Sequence, residues 1–124
     1  APQAETLLAA PEGRRLATRD VAVHWEHIPA GLLAHQLRGV VGCTGMEELL
    51  AGARRTGWPL DPERVTCPLR IVWGTEDRVL PWPSAAENLR AWFPNADWVV
   101  LDDAGHCPQL DVPLETAQLI LGLG

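Results

Sequence analysis

The clearest hydrophobic pattern lies in the second half of the chain, where two short apolar runs are joined by a mixed segment. The first run, residues 69–73, is rich in branched and aromatic residues, and Pro68 and Gly74 bound it. A continuous apolar run of this length is typical of a strand buried on both faces of a parallel sheet. The second run, residues 98–101, predicts a second strand.

Each predicted strand is followed by a segment with helical signals. Ser84 and Glu87 have the spacing of a capping box, which predicts a helix that continues to Phe93. Pro113 suits the first position of a last helix over residues 114–121. Strand, helix, strand and helix in this order predict a β-α-β-α unit in which the two strands are parallel.

The first 57 residues show helical spacing instead. Their best amphipathic pattern is the set Leu33, Leu37, Val40 and Val41, which would share one helix face. A second helix is predicted from a capping box at residues 44–47, with a glycine cap at residue 57. We also predict a short helix over residues 20–28, and only a weak helix with a loop before residue 19. The segment therefore reads as three helices, and the proline-punctuated stretch 58–62 sets a boundary between residues 58 and 59.

Composition narrows the range of partners. The chain has 124 residues, 47% of them hydrophobic, and a net charge of −6, which argues against a nucleic-acid partner. No apolar run is long enough to span a bilayer, so we expect no membrane partner. The odd number of cysteines, three, lacks metal-site spacing, and we expect free thiols and a cytoplasmic location.

Two residues that can carry chemistry lie just beyond the predicted strands. Asp77 follows the first strand, and His106 follows the second. Catalytic groups in open α/β sheets collect at these carboxyl ends, because the strand ends are rigid while the loops vary. An Asp in such a turn is also a common turn former. The pair, rather than either residue alone, predicts an acid that orients a histidine base.

The residues around this pair resemble a known family. The turn Gly74-Thr-Glu-Asp77-Arg-Val-Leu-Pro81 and the segment Asp103-Ala-Gly105-His106-Cys-Pro-Gln-Leu-Asp-Val-Pro113 are similar to the C-terminal part of an α/β-hydrolase. The resemblance implies that Asp77 is the triad acid and His106 the triad base. It also implies a helical cap-like segment over residues 1–58 and a C-terminal core part over residues 59–124. The implied activity is hydrolysis of a small-molecule carboxylic ester, without a cofactor or a metal.

The nucleophile of that family has no counterpart in the sequence. Family triads run in the order Ser, acid, His, but the chain has no G-x-S-x-G, and Ser84 is its only serine. Water, Cys43 or Cys107 remain as candidates, although Cys43 reads more readily as a structural thiol. The histidines at positions 24, 27 and 35 lack a clear metal-ligand frame.

The predicted fold class is therefore α/β: a partial α/β-hydrolase fold, completed by self-association. Unpaired apolar strand edges favour pairing with another copy, so we expect a homo-oligomer. The predicted function is weak or Ser-independent esterase activity. The alternative is a non-catalytic dimeric remnant that acts as a binding or interaction module.

Overall fold

A computed structural model describes residues 2–57 and 61–122 of the chain. A helical part comes first and consists of α1 (Pro2–Ala9), α2 (Pro11–Thr18), α3 (Ala30–Val41) and α4 (Met46–Thr56). The second part alternates strands and helices: β1 (Arg70–Gly74), α5 (Glu87–Trp92), β2 (Asp97–Leu101), α6 (Pro108–Asp111) and α7 (Pro113–Leu121). Within these residues, no helix is long and apolar enough to cross a membrane.

The two strands form a parallel pair, which confirms the predicted strand–helix–strand unit. Their register runs from Arg70 opposite Asp97 to Gly74 opposite Leu101, so both carboxyl ends reach the same edge of the sheet. The predicted burial of β1 on both faces is wrong. Only Trp73 and Gly74 are buried in it, because the sheet in the described part of the chain has two strands and leaves most of β1 partly uncovered.

The region before residue 19 is more ordered than its sequence suggested. It forms two helices, separated at Ala10, with Pro11 in the first turn of α2. Gly13 makes their close contact possible, because a Cβ there would collide with the Leu7 carbonyl. The described part of residues 1–57 thus holds four α-helices where three were predicted. A small core joins these helices to the second part of the chain through Leu8, Ala22, Ile28, Leu33, Ala34 and Leu110.

The helix predicted over residues 20–28 is not formed. Only Trp25–His27 make one 3-10 turn. The physical reason is competition for the backbone groups of this segment. The amides of Val23 and His24 donate to the Asp111 carboxylate at 2.8 and 2.7 Å, and the Val21 carbonyl accepts from the Cys107 amide at 2.8 Å. These long-range bonds replace those that a helix would make between its own residues.

The helix ends test the predicted caps. Gly57 ends α4 with a φ of 65°, as predicted, because glycine tolerates left-handed backbone. The two capping boxes are wrong: α4 begins after Gly45 without a side-chain cap, and Ser84 Oγ instead donates to the Pro81 carbonyl at 3.2 Å. Ser84 lies in a 3-10 turn, Ser84–Ala86, that leads into α5. The predicted linker lies partly outside the described residues, at positions 58–60.

Candidate active site

The loops that follow β1 and β2 are joined by backbone hydrogen bonds. The Thr75 amide donates to the Leu101 carbonyl at 2.9 Å, and the Glu76 amide donates to the Ala104 carbonyl at 3.0 Å. Gly74 allows the loops to approach, because a Cβ at this position would collide with the Ala104 carbonyl. The two strand ends therefore form one rigid unit that fixes the residues immediately after them.

Asp77 is held at the centre of this unit. Its side chain is 5% exposed, and its Oδ1 accepts from the amides of Val79 and Leu80 at 2.9 and 2.8 Å. This arrangement is an Asx-type turn, in which the carboxylate caps the backbone of its own loop. The other oxygen, Oδ2, faces the imidazole of His106. Both carboxylate oxygens are therefore engaged, and the side chain has one fixed orientation.

His106 meets Asp77 as the sequence predicted. Its Nδ1 lies 2.9 Å from Asp77 Oδ2. An ionised carboxylate can only accept a hydrogen bond, so His106 Nδ1 is the donor and Nε2 carries the free lone pair of the neutral ring. The side chain is 34% exposed, and Nε2 has no hydrogen-bond partner in residues 2–57 or 61–122. This geometry orients the imidazole and leaves its second nitrogen without a protein partner in the described residues.

Asp111 was not among the residues predicted from the sequence, yet it supports the same loop. It is 4% exposed. Its Oδ2 accepts from the Gly105 amide at 2.7 Å, and its Oδ1 accepts from the amides of Val23 and His24. A single carboxylate thus fastens the backbone beside His106 to the helical part of the chain. The available signal was an acidic residue between Leu110 and Val112, in an otherwise apolar frame.

The candidate nucleophiles differ in their position and exposure. Cys43 is exposed between α3 and α4, and Ser84 is exposed as well. Cys107 follows His106 directly and is half-buried. Burial raises the pKa of the Cys107 thiol. A hydrogen bond from Gln109 lowers this pKa, and the charges of Asp111 and Asp77 raise it further. A raised pKa keeps the thiol protonated, so Cys107 is a poor nucleophile near neutral pH.

The remaining histidines do not form a metal centre. His24 Nε2 lies 2.9 Å from Asp103 Oδ2 in an exposed pair, and His27 Nε2 donates to the Leu110 carbonyl at 2.9 Å. His35 lies exposed on α3. Across residues 2–57 and 61–122, no group of three or more His, Cys, Asp or Glu side chains is arranged to hold a metal ion.

Comparison with known proteins assigns the chain to a fold family. A family model described as the α/β hydrolase fold matches residues 10–113. The chain therefore belongs to the α/β-hydrolase fold family, as the motifs around Asp77 and His106 predicted. Among curated proteins, none matches the chain by sequence.

A solved structure gives the same relationship in three dimensions. The chain is similar to a membrane phospholipase A described as a bacterial virulence factor, with 27% sequence identity and a TM-score of 0.65. The match covers 96% of this chain and 39% of the phospholipase chain. The chain thus spans well under half the length of that relative and corresponds to a part of an α/β-hydrolase.

Proposed function

We propose that this chain carries the acid–base part of an α/β-hydrolase that cleaves carboxylic esters. The observation that supports the proposal is the 2.9 Å contact between Asp77 Oδ2 and His106 Nδ1. In this proposal Asp77 fixes the ring and its tautomer, and it stabilises the imidazolium that forms during the reaction. His106 is the general base.

The reaction follows from the free nitrogen of His106. Nε2 takes a proton from the attacking oxygen while that oxygen bonds to the ester carbonyl carbon. The imidazolium then returns this proton to the leaving alkoxide as the bond between the carbonyl carbon and the alkoxide oxygen breaks. The products are a carboxylic acid and an alcohol, so no oxidant, metal or cofactor is needed.

The attacking oxygen in the isolated chain is that of water. The sequence has no G-x-S-x-G, its only serine lies exposed at the start of the α5 segment, and the Cys107 thiol stays protonated. A well-placed oxyanion hole is commonly the largest catalytic contribution in acyl transfer, and in this family it belongs to the nucleophile side of the fold. We therefore expect slow hydrolysis by this chain alone.

The substrate class that we propose is a carboxylic ester, and the similarity to a membrane phospholipase A favours an acyl ester of a lipid. The direct test is hydrolysis of a p-nitrophenyl ester by wild type, His106→Gln and Asp77→Asn. His35→Gln is the matched control, because His35 is exposed on α3 and contributes the same background imidazole chemistry. General-base assistance contributes about 10²-fold or more, so His106→Gln should fall to the background rate that the remaining exposed imidazoles give.

An unchanged rate in His106→Gln, or an equal loss in His35→Gln, would contradict the proposed role of His106. Asp77→Asn should also lose most of the activity above buffer, because an asparagine amide can donate to Nδ1 and favours the other tautomer.

A second candidate function, an interaction module, is favoured by a specific surface. At the end of α3 and within α4 the structure exposes large apolar side chains, including Val40 at 66%, Val41 at 87% and Leu49 at 54%. Several large apolar side chains exposed on two consecutive helices favour an interaction surface. We propose that a second copy of this chain covers it, giving a homo-oligomer. Sedimentation of wild type and Leu49→Gln at several concentrations tests this, and a monomer at all concentrations in the wild type would contradict it.

A further inference from the structure

A cavity of about 320 Å³ lies beside the loop that carries Asp77. This volume is at the lower end of the range for small-molecule sites, roughly 300–1,000 Å³. Three arginines contribute to its walls, together with one glutamate, one tryptophan and two small apolar residues: Arg15, Arg19, Arg78, Glu26, Trp25, Ala22 and Val23.

The cavity lies beside the loops that carry Asp77 and His106. Arg78 comes directly after Asp77 in the chain. On the other side, Ala22 and Val23 line the cavity, and the residue before them is bonded to the His106 loop, because the Cys107 amide donates to the Val21 carbonyl at 2.8 Å. Gly105 also packs closely there, and a Cβ on it would come within 2.9 Å of that same carbonyl. Ala22, which lines the cavity, therefore packs against the loop that carries His106.

The charge of the cavity is opposite to that of the whole chain. The chain carries a net charge of −6, whereas three arginines and one glutamate give the cavity walls a balance of two positive charges. Arg15, Arg19 and Arg78 are exposed, so solvent screens part of their mutual repulsion, and a negative charge between them would offset the remainder. Three arginines lining one cavity, two of them joined by the bond from Arg78 Nη1 to the Arg19 carbonyl, favour an anionic ligand.

The arginines retain donors for such a ligand. In the described residues, the Arg15 side chain has no hydrogen-bond or ion-pair partner. Arg78 Nη1 donates to the Arg19 carbonyl at 2.6 Å. This bond fixes the Arg78 guanidinium and leaves its other N–H groups available to a ligand. Arg19 Nε donates to Asp20 at 3.2 Å, in an exposed pair. None of the three is neutralised in a buried salt bridge.

The end of α2 explains only part of this arrangement. Arg15 lies in the last turn of α2 and Arg19 follows it, and positive side chains at a helix C-terminus interact favourably with the helix dipole. Arg78, however, comes from the loop after β1 and reaches across to the carbonyl of Arg19. Its presence makes the cluster a shared feature of two distant segments.

We propose that this cavity binds a phosphate group, with Arg15, Arg19 and Arg78 as its donors. Guanidinium groups match the oxygens of phosphate in geometry and bind them through paired charge-assisted hydrogen bonds. Placed beside the His106 loop, the site would hold the phosphate of a lipid headgroup while an acyl ester lies near the base. That extension rests on the proposed esterase function, whereas phosphate binding itself does not.

The test is binding to the full chain, followed by NMR of the backbone amides and by calorimetry. The probes are inorganic phosphate and glycerophosphocholine, a headgroup without acyl chains. Wild type should show shifts at residues 15–26 and 78, and affinity should fall with added salt because exposed charges are screened. Arg15→Gln and Arg78→Gln should each weaken phosphate binding by about tenfold, as expected for loss of a charge-assisted bond.

Arg54→Gln is the matched control, since Arg54 is exposed at the end of α4 and does not line the cavity. It should stay within about twofold of wild type, because a distant exposed charge is screened. Arg15→Lys, which keeps the charge but not the planar fork, should fall between wild type and Arg15→Gln. Circular dichroism of each variant checks that the fold is intact.

The two probes separate the possible sources of the phosphate. Binding of both supports a lipid headgroup as the ligand, and binding of inorganic phosphate alone supports a free phosphate ion. Equal phosphate affinity in wild type, Arg15→Gln and Arg78→Gln, or absence of binding in wild type at millimolar phosphate, would overturn the proposal. Because no step of this test involves turnover, a chain that binds phosphate but hydrolyses no ester refutes the proposed function alone.

Discussion

The loops at the strand ends and the helix α4 are stabilised in opposite ways. At the strand ends, two buried carboxylates, Asp77 and Asp111, each accept several hydrogen bonds from the surrounding loops. In α4, no residue is buried, and Met46, Leu49 and Leu50 are 41%, 54% and 45% exposed. One region satisfies its own polar groups, and the other leaves its apolar face uncovered.

This difference separates a geometry that the described residues maintain by themselves from an apolar surface that they leave uncovered. The geometry of Asp77 and His106 is maintained by hydrogen bonds between residues 21–24, 74–80 and 103–111. The apolar side chains of α4 have no comparable partners in the described residues, and we attribute to them a role in association. The acid–base pair should therefore survive changes in α4 but fail when the strand-end loops are altered.

The largest effect should follow from Asp111→Ala. This change leaves the amides of Val23, His24 and Gly105 without their acceptor. Losing an acceptor of several charge-assisted bonds costs about 3 kcal/mol or more of folding stability, a large part of a typical total of about 5–15 kcal/mol. Urea unfolding measures this loss.

Asp102→Ala is the matched control for Asp111→Ala, because Asp102 is exposed in the same loop region. Its effect should stay within about 0.5 kcal/mol. If both variants unfold at the same urea concentration, the Asp111 carboxylate does not hold the His106 loop to the backbone at Val23 and His24.

A pair of glycine substitutions should give effects of opposite sign in the two regions. Gly74→Ala places a methyl group against the Ala104 carbonyl and should destabilise the fold by about 1–3 kcal/mol. Gly52 lies within α4 with open space around its Cβ position, so Gly52→Ala should stabilise by about 0.5–1 kcal/mol through helix propensity. Thermal or urea unfolding measures both changes in stability. A Gly74→Ala variant that is as stable as Gly52→Ala, or more stable, would contradict the contrast between the regions.

The smallest effect concerns the thiols. Burial raises the pKa of Cys107, whereas Cys43, between α3 and α4, is exposed. Because the thiolate is the reactive form, iodoacetamide should modify Cys107 several times more slowly than Cys43 at mildly alkaline pH. Denaturant should remove the difference, and equal rates in the folded chain would contradict it.

The same shift has a defined effect on stability. A group whose pKa is raised in the folded state contributes to folding stability. For the Cys107 thiol this contribution is fully present below the ordinary pKa of a thiol, and it is lost as the pH rises through the pKa of the folded state. Cys107→Ser should reduce this alkaline loss relative to wild type, as measured by urea unfolding across the alkaline range.

The sequence was most informative where local signals and long-range pairing agree. The strands at residues 70–74 and 97–101 follow from apolar runs bounded by turn residues, and their parallel pairing brings Asp77 and His106 together. The family motifs named the same two residues. Here local pattern and tertiary structure specify the same arrangement.

The sequence was least informative where a distant residue competes with local preference. The segment at residues 20–28 has helical spacing, but Asp111, almost ninety positions away, takes two of its amides. Thr44 and Ser84 have capping-box spacing, yet neither side chain caps a helix. The cavity formed by Arg15, Arg19 and Arg78 likewise joins segments that no local pattern connects.

The most direct test of the central claim, that Asp77 orients His106 as a base, is the tautomer of the His106 ring. Long-range ¹H–¹⁵N NMR at a pH where the ring is neutral should show the proton on Nδ1 in wild type, because the Asp77 carboxylate accepts from that nitrogen. In Asp77→Asn the side-chain amide can donate to Nδ1, so the proton should move to Nε2. A ring with its proton on Nε2 in wild type, or one that Asp77→Asn leaves unchanged, would contradict the claim.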